Sequence, residues 1–162
     1  MDMKILIISD SHGNIANLKT VMDIGKKAGV KAVIHCGDWN NPESVETVLS
    51  YKIPLYSILG NADIDLEVGK RLKVKSKGFD TNFLEFEIDG KKIGVAHSLK
   101  HLMPIIKSFD VIFSGHSHRQ KVEEKDGAKI INPGALENDI NFAIYDTNIN
   151  EVEFINEQEG TA

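Results

Sequence analysis

The sequence predicts an α/β architecture, a mixed sheet system with helices outside, and two observations carry that prediction. In the first half, short apolar runs rich in β-branched residues alternate with segments whose apolar residues recur at helical spacing, as in parallel strands joined by crossover helices. In the second half, strand-like runs come in pairs joined by tight-turn residues, as in antiparallel hairpins. The chain has 162 residues, the length of one ordinary domain. A single domain over 1–156 is expected, with a frayed tail over 157–162.

The elements follow in order. Ile5, Leu6, Ile7 and Ile8 make a first strand that stops abruptly at Ser9, Asp10, Ser11, His12 and Gly13. If the chain stays extended there, residues two apart project to the same side, and Asp10 and His12 converge just beyond the strand. Ile15, Leu18, Val21, Met22 and Ile24 lie at helical spacing, with Asn14 as cap and Gly29 as stop. Ala32, Val33 and Ile34 form a second strand running into His35, Cys36, Gly37 and Asp38. Pro42 and Glu43 open a second helix bearing Val45, Val48 and Leu49. Pro54 marks entry to a third strand, Leu55 to Leu59, which ends in Gly60, Asn61, Ala62 and Asp63.

From Ile64 to Asp80 no helical period stands out. Lys70, Arg71, Lys73, Lys75 and Lys77, with Leu72 and Val74 between them, read as a solvated strand or loop rather than a substrate-binding patch. Phe83 to Ile88 and Ile93 to Ala96 form a hairpin across Asp89-Gly90, and His97 follows its second strand. Leu102, Ile105, Ile106 and Phe109 suit a short helix with Pro104 near its first turn. Val111 to Phe113 is then a strand delivering Ser114, Gly115, His116, Ser117 and His118. Val122 to Lys125 and Lys129 to Ile131 pair across Asp126-Gly127, Asn132-Pro133-Gly134 is a turn by composition, and Phe142 to Tyr145 and Val152 to Ile155 are the last strands.

Composition narrows the function. A hydrophobic fraction of 41% and a charged fraction of 27% are ordinary for a folded domain, and a net charge of −5 disfavours nonspecific binding to nucleic acid or membrane. The lone cysteine, Cys36, excludes an internal disulfide and a cysteine-cluster metal site. No stretch has the pattern of a signal peptide or a spanning helix, so cytoplasm is the expected compartment.

Five apolar strands end in Asp10 and His12, in Asp38, in Asn61, in His97, and in His116 and His118; in open α/β sheets ligands gather at the carboxyl ends of strands. His35 and His101 fall elsewhere and read as packing or surface residues. Seven oxygen and nitrogen donors exceed what one tetrahedral zinc takes, but suit two divalent ions that share a carboxylate and leave positions for water. Carboxylate, amide and imidazole donors without thiolate suit manganese, which we favour, and also iron, cobalt, nickel or zinc.

The ordered set Asp10-x-His12, Gly37-Asp38, Gly60-Asn61, His97 and Gly115-His116-x-His118 resembles the calcineurin-like metallophosphoesterase signature, and most resembles its small single-domain prokaryotic phosphodiesterase branch. The resemblance implies two facing mixed β-sheets flanked by helices, a four-layer αββα sandwich. It implies that Asp10, His12, Asp38 and His118 hold one metal, that Asp38, Asn61, His97 and His116 hold the other, and that Asp38 bridges them. The implied activity is hydrolysis of a small phosphate ester, a diester foremost, by attack of a metal-bridging hydroxide, with Asp10 and Asp38 as ligands rather than bases. Where many members have a histidine after Gly-Asn to protonate the leaving group, this chain has Ala62, with Asp63 next as a compensating acid. Asp38, Asn61 and Asp63 are therefore the expected catalytic residues. His97 is followed by Ser98 and Leu99 where many members have His-x-His, implying a more apolar pocket wall. The alternatives are a phosphomonoesterase and, from another class, a protein-binding scaffold like the retromer subunit of this fold; homo-oligomers are compatible with either.

A dinucleotide or P-loop module lacks its glycine pattern here, and Ser117 lacks the second glycine of a nucleophile elbow because Arg119 stands there.

Overall fold

The first strand sets the layering. Side chains alternate along β1 (Lys4–Ile8), so Leu6 and Ile8 face one side and Ile5 and Ile7 the other; all four are fully buried. Such a strand needs cover on both faces. The computed structural model, which describes residues 3–158, provides it with helices on one side and a second sheet on the other.

After β1 the chain runs α1 (Ile15–Ala28), β2 (Ala32–His35), α2 (Pro42–Leu49), β3 (Leu55–Ile58), α3 (Leu66–Lys75), β4 (Gly78–Asp80), β5 (Phe83–Ile88) and β6 (Lys91–Ala96). Two 3₁₀ turns, Leu99–His101 and Met103–Ser108, lead to β7 (Val111–Ser114), β8 (Gln120–Lys125), β9 (Ala128–Pro133), β10 (Asp139–Asp146) and β11 (Glu151–Gln158). One sheet has the order β11-β10-β1-β2-β3-β4, with β1 to β4 parallel and β10 and β11 antiparallel. The other has the order β5-β6-β7-β9-β8, a parallel centre with an antiparallel strand at each edge. Two mixed sheets facing each other and flanked by helices are the predicted fold.

Three apolar layers hold these parts together. Leu18, Val21 and Met22 of α1, Val45 and Val48 of α2, and Val68 and Leu72 of α3 bury against Leu6, Ile8, Val33 and Leu55. Ile5, Ile7, Ile34 and Tyr145 meet Ile93, Val95, Val111 and Phe113 between the sheets. Leu102, Ile106 and Phe109 cover Ala96, Ile112 and Ile130 on the far side, so the outermost layer is 3₁₀ rather than the short helix expected around Pro104.

The largest departure from the sequence reading is α3, where a strand or loop was expected. Asp65 caps it by accepting the Glu67 N–H, Val68 and Leu72 bury one turn apart, and Lys73 and Lys75 lie in its last turn, where cations favour the helix dipole. Asn132 and Pro133, expected in a turn, instead end β9 opposite Lys121 and Gln120, and the chain turns at Gly134. Pairing of β11 with β10 continues through Glu157 and Gln158, so fraying does not begin at 157; residues 159–162 of the expected tail lie outside the described residues.

Candidate metal centre

The loop after β1 is zipped onto the loop after β2. The Asp10, His12 and Gly13 N–H groups donate to the carbonyls of Gly37, Asp38 and Trp39 at 3.0, 2.9 and 3.0 Å, continuing the strand pairing as a ladder of irregular backbone. The chain there is not extended, contrary to the reasoning from spacing. Asp10, His12, Asp38, His116 and His118 all have positive φ, between 45° and 71°. Left-handed backbone is sparsely populated by residues other than glycine, and such strain clusters at functional sites. These turns bring the side chains toward one another at the surface end of the sheets.

Asp10 is fully buried, and its two oxygens do different work. Oδ2 accepts from the Ser9 hydroxyl at 2.6 Å and the His116 N–H at 3.0 Å, the latter joining the two sheets' loops. Oδ1 has no hydrogen-bond partner, yet lies 3.7 Å from His12 Nε2, 3.2 Å from His118 Nε2 and 3.9 Å from His97 Nε2. Asp38 Oδ1 accepts the Ala62 N–H at 2.8 Å, while Oδ2 lies 3.4 Å from His12 Nε2 and 3.2 Å from His97 Nε2. Two glycines make room: a Cβ at Gly60 would collide with the Asp38 carboxylate, and one at Gly115 with Ser9 Oγ and Asp10 Oδ2.

His97 Nδ1 lies 2.8 Å from the Cys36 carbonyl, an acceptor, so this nitrogen carries the proton and Nε2 faces the carboxylates. His116 Nδ1 stands 3.2 Å from His97 Nε2. Asn61 is exposed at the end of β3 and lines the same cavity, of about 350 Å³, as His97 and His116.

These positions shift protonation in opposite senses. Burial pushes the Asp10 carboxyl up, against the Ser9 hydrogen bond and the nearby histidines. Asp38, also desolvated, is nevertheless held well below the carboxylate range by His97 and the Ala62 N–H. Desolvation pulls His97 down, but Asp38 and the Cys36 carbonyl outweigh it and raise the imidazole.

The residues fit divalent metal. Asp10 Oδ1 and His12 Nε2 are buried without a hydrogen-bond partner, an arrangement that costs free energy unless something else binds those atoms. Ligand atoms of Asp10, His12 and His118, and of Asp10, Asp38 and His97, form two groups, each within 4.8 Å. Asp10 is common to both groups, and Asp38 touches a histidine from each. Cys36 is buried with its thiol pushed far up, so it offers no thiolate.

Asp63, expected as a compensating acid, is engaged by backbone through both of its oxygens. Its Oδ2 accepts the N–H groups of Asp38 and Gly60 at 2.9 Å each, and its Oδ1 accepts that of Asn40 at 2.8 Å. It ties the loop after β2 to the loop after β3 and so positions Asp38, even though burial raises its carboxyl. Ser9 and His35 also support the loops. His35 is buried and stacks on Trp39; its Nδ1 accepts the Gly37 N–H at 3.1 Å, so Nε2 carries the proton toward Ser11 Oγ at 3.0 Å. His101, read as packing or surface, is exposed on the cavity wall with Lys100. A buried histidine beside a serine has no sequence signal of its own; only the pairing of β1 with β2 brings Ser11 to His35.

Comparisons with known proteins agree with this geometry. The chain is 33% identical over 143 residues to the phosphodiesterase MJ0936 of Methanocaldococcus jannaschii, covering 82% of this chain and 83% of that one. It is 31% identical over 137 residues to the probable metallophosphoesterase YsnB of Bacillus subtilis, covering 83% and 75%. Among solved structures it resembles an archaeal phosphodiesterase with a TM-score of 0.85 at 30% identity, over 95% of this chain and 99% of that one. The vacuolar protein sorting 29 structure from Cryptosporidium parvum, with a TM-score of 0.62 at 19% identity over 99% of each chain, shares the fold. The family profile of the calcineurin-like phosphoesterase superfamily domain matches residues 3–149. Because that match runs from before Asp10 to beyond His118, it spans every loop that carries a candidate ligand, and the chain belongs to the calcineurin-like phosphoesterase superfamily.

Proposed function

We propose that this metal-dependent phosphoesterase is a phosphodiesterase working with two divalent ions, manganese foremost. The observation that carries the reading is the pair of buried carboxylates, each approached by histidines from both sheets and one with an unpartnered oxygen. The MJ0936 phosphodiesterase at 33% identity supports the diester preference. Asp10, His12, Asp38 and His118 would hold one ion, and Asp38, Asn61, His97 and His116 the other. When bound, the ions supply Lewis acidity and lower the pKa of water enough to make it a nucleophile at neutral pH. With the ions bound, Asp10 and Asp38 would act as ligands rather than as general bases. His97, fixed by the Cys36 carbonyl, presents one nitrogen in one orientation.

The loop after β3 offers no acid to a departing oxygen. Ala62 has no side-chain donor, its N–H is taken by Asp38, and both Asp63 oxygens accept backbone N–H groups. General acid catalysis is typically worth about 10²- to 10⁴-fold and matters most for basic alkoxides. Aryl diesters should therefore be good substrates and alkyl monoesters slow ones. A panel of mono- and diesters assayed with each of several divalent metals tests this. Chelator-sensitive turnover of aryl diesters is expected; strong activity on alkyl monoesters, or undiminished activity after chelation, would overturn it.

A further inference from the structure

A second cavity, of about 520 Å³, lies between α3 and β4 and shares Leu59, Asp63 and Thr81 with the cavity that Asn61, His97 and His116 line. The two adjoin at these residues. Its size is that of a small-molecule site, and part of its wall is apolar, with Leu59, Leu66 and Phe79 around Gly69. Leu66 of this wall is 78% exposed, and Ile64, two residues before it in the chain, is 87% exposed.

Gly69 is the telling residue. It sits inside α3, where glycine is less favourable than alanine, and it does not have positive φ. A Cβ there would meet Leu59 Cδ1 at 3.6 Å and Phe79 Cζ at 3.8 Å, both ordinary contacts. Neither backbone conformation nor crowding requires glycine. What glycine does is leave the wall of the groove unfilled.

The groove carries charges of both signs. Lys70 and Lys73 line it beside Asp63, Asp65 and Asp80; Lys70 pairs loosely with exposed Glu67 at 3.4 Å, and Lys73 has no ion-pair partner among the described residues. The apolar part of the wall suits an uncharged ring, and the phosphorus centre of the same ester would lie toward the histidines of the adjoining cavity. We infer that this groove takes a ring-sized apolar alcohol part of the phosphodiester, and that Gly69 keeps it open. The inference rests on the phosphodiesterase reading, and makes substrates with an aromatic or heteroaromatic alcohol part the preferred class.

The test has two arms. In the first, metal-free protein is titrated with 1-naphthyl phosphonate and with methyl phosphonate while backbone amide chemical shifts are followed. The naphthyl compound should move Leu66, Gly69 and Phe79, the methyl compound should not, and Gly69→Leu should weaken naphthyl binding about tenfold or more, as expected for losing burial of one ring. In the second, manganese-loaded protein hydrolyses nitrophenyl diesters whose second alcohol is methyl or naphthyl. Wild type should favour naphthyl in kcat/KM about tenfold, and Gly69→Leu should remove that preference, chiefly through KM.

Gly69→Ala serves as the folding control and should raise Tm by about 2–4 °C through helix propensity. If Gly69→Leu does not fold, Lys73→Gln replaces it and should weaken naphthyl phosphonate binding. Hydrolysis of both diesters at equal efficiency, with no shifts in α3, overturns the groove assignment and leaves the phosphodiesterase reading standing. Hydrolysis of neither overturns the parent reading, while the phosphonate titration still decides what the groove binds. Shifts in α3 that depend on protein concentration and not on phosphonate would give this face to a second copy of the chain and overturn the inference.

Discussion

Asp38 stands between the two halves of the site, with one oxygen within 3.4 Å of His12 and 3.2 Å of His97 and the other fixed by the Ala62 N–H. Asp38→Asn preserves that backbone hydrogen bond but removes the charge facing both histidines. Its kcat/KM, measured together with metal content, should fall by more than the roughly 10- to 100-fold typical of losing a group that only supports a ligand. Asn61→Ala should cost less, because it removes one neutral donor at an exposed edge; equal, mild losses would refute a shared carboxylate. Protonation gives a second prediction. His97 is raised and Asp10 is raised in the metal-free protein, so each contributes stability that is complete below its ordinary pKa and lost as pH rises through its shifted value. Metal must displace those protons, so affinity should climb with pH through that window, and calorimetry in buffers of different ionisation enthalpy should find more protons released per metal at pH 6 than at pH 8. Proton release that is zero at both would contradict the assignment. The identities of these residues were legible in the sequence because each follows an apolar strand. Their convergence was right for the wrong reason: spacing suggested extended backbone, whereas Asp10 and His12 take left-handed φ, and no residue pattern announces that for aspartate or histidine as glycine would.

At the scale of elements, α3 shows where a sequence pattern fails. Only Val68 and Leu72 are buried in it, while Leu66 and Val74 are 78% and 80% exposed, so its apolar residues do not trace one helical face. The hairpins posed no such problem, since Asp89-Gly90 and Asp126-Gly127 both supply positive φ where two apolar runs meet. The 3₁₀ turns around Pro104 were legible as a helix because their apolar spacing resembles one turn of either kind. If α3 is held by its two buried residues, Leu72→Ala should destabilise by about 2–5 kcal/mol in denaturant titrations. Lys75→Gln should cost less than about 1 kcal/mol, because its 3.0 Å pair with Glu46 lies on exposed side chains and Arg71 still serves that carboxylate. A large loss from Lys75→Gln would mean that the α2–α3 ion pairs, not the apolar contact, anchor the helix.

Across the whole molecule, the candidate centre is also a seam. Asp10, His12, Asp38 and Asn61 come from loops of one sheet, and His97, His116 and His118 from loops of the other. Apolar packing between the sheets, Ile5 and Ile7 against Val95 and Phe113, sets their separation, and the His116 N–H to Asp10 bond joins their loops. The seam also carries a buried carboxylate oxygen and a buried imidazole nitrogen with no hydrogen-bond partner among the described residues. Divalent ions would satisfy both while bridging the sheets, and the unfolded chain, with its ligands scattered from position 10 to 118, holds no such site. Binding should therefore appear as stability. At free metal about a hundredfold above Kd the stabilisation is about 2.7 kcal/mol, which for a domain of this size raises Tm by roughly 5–10 °C. Scanning calorimetry with and without chelator reads that shift directly. Asp38→Asn should abolish most of it and His118→Ala about half, since one variant disturbs both ions and the other only one. Titration of stripped protein should bring Tm and diester hydrolysis to their plateaus at about two equivalents. Plateaus in both at a single equivalent would remove the dinuclear reading, and a Tm indifferent to metal would mean that the sheets meet here without needing an ion between them.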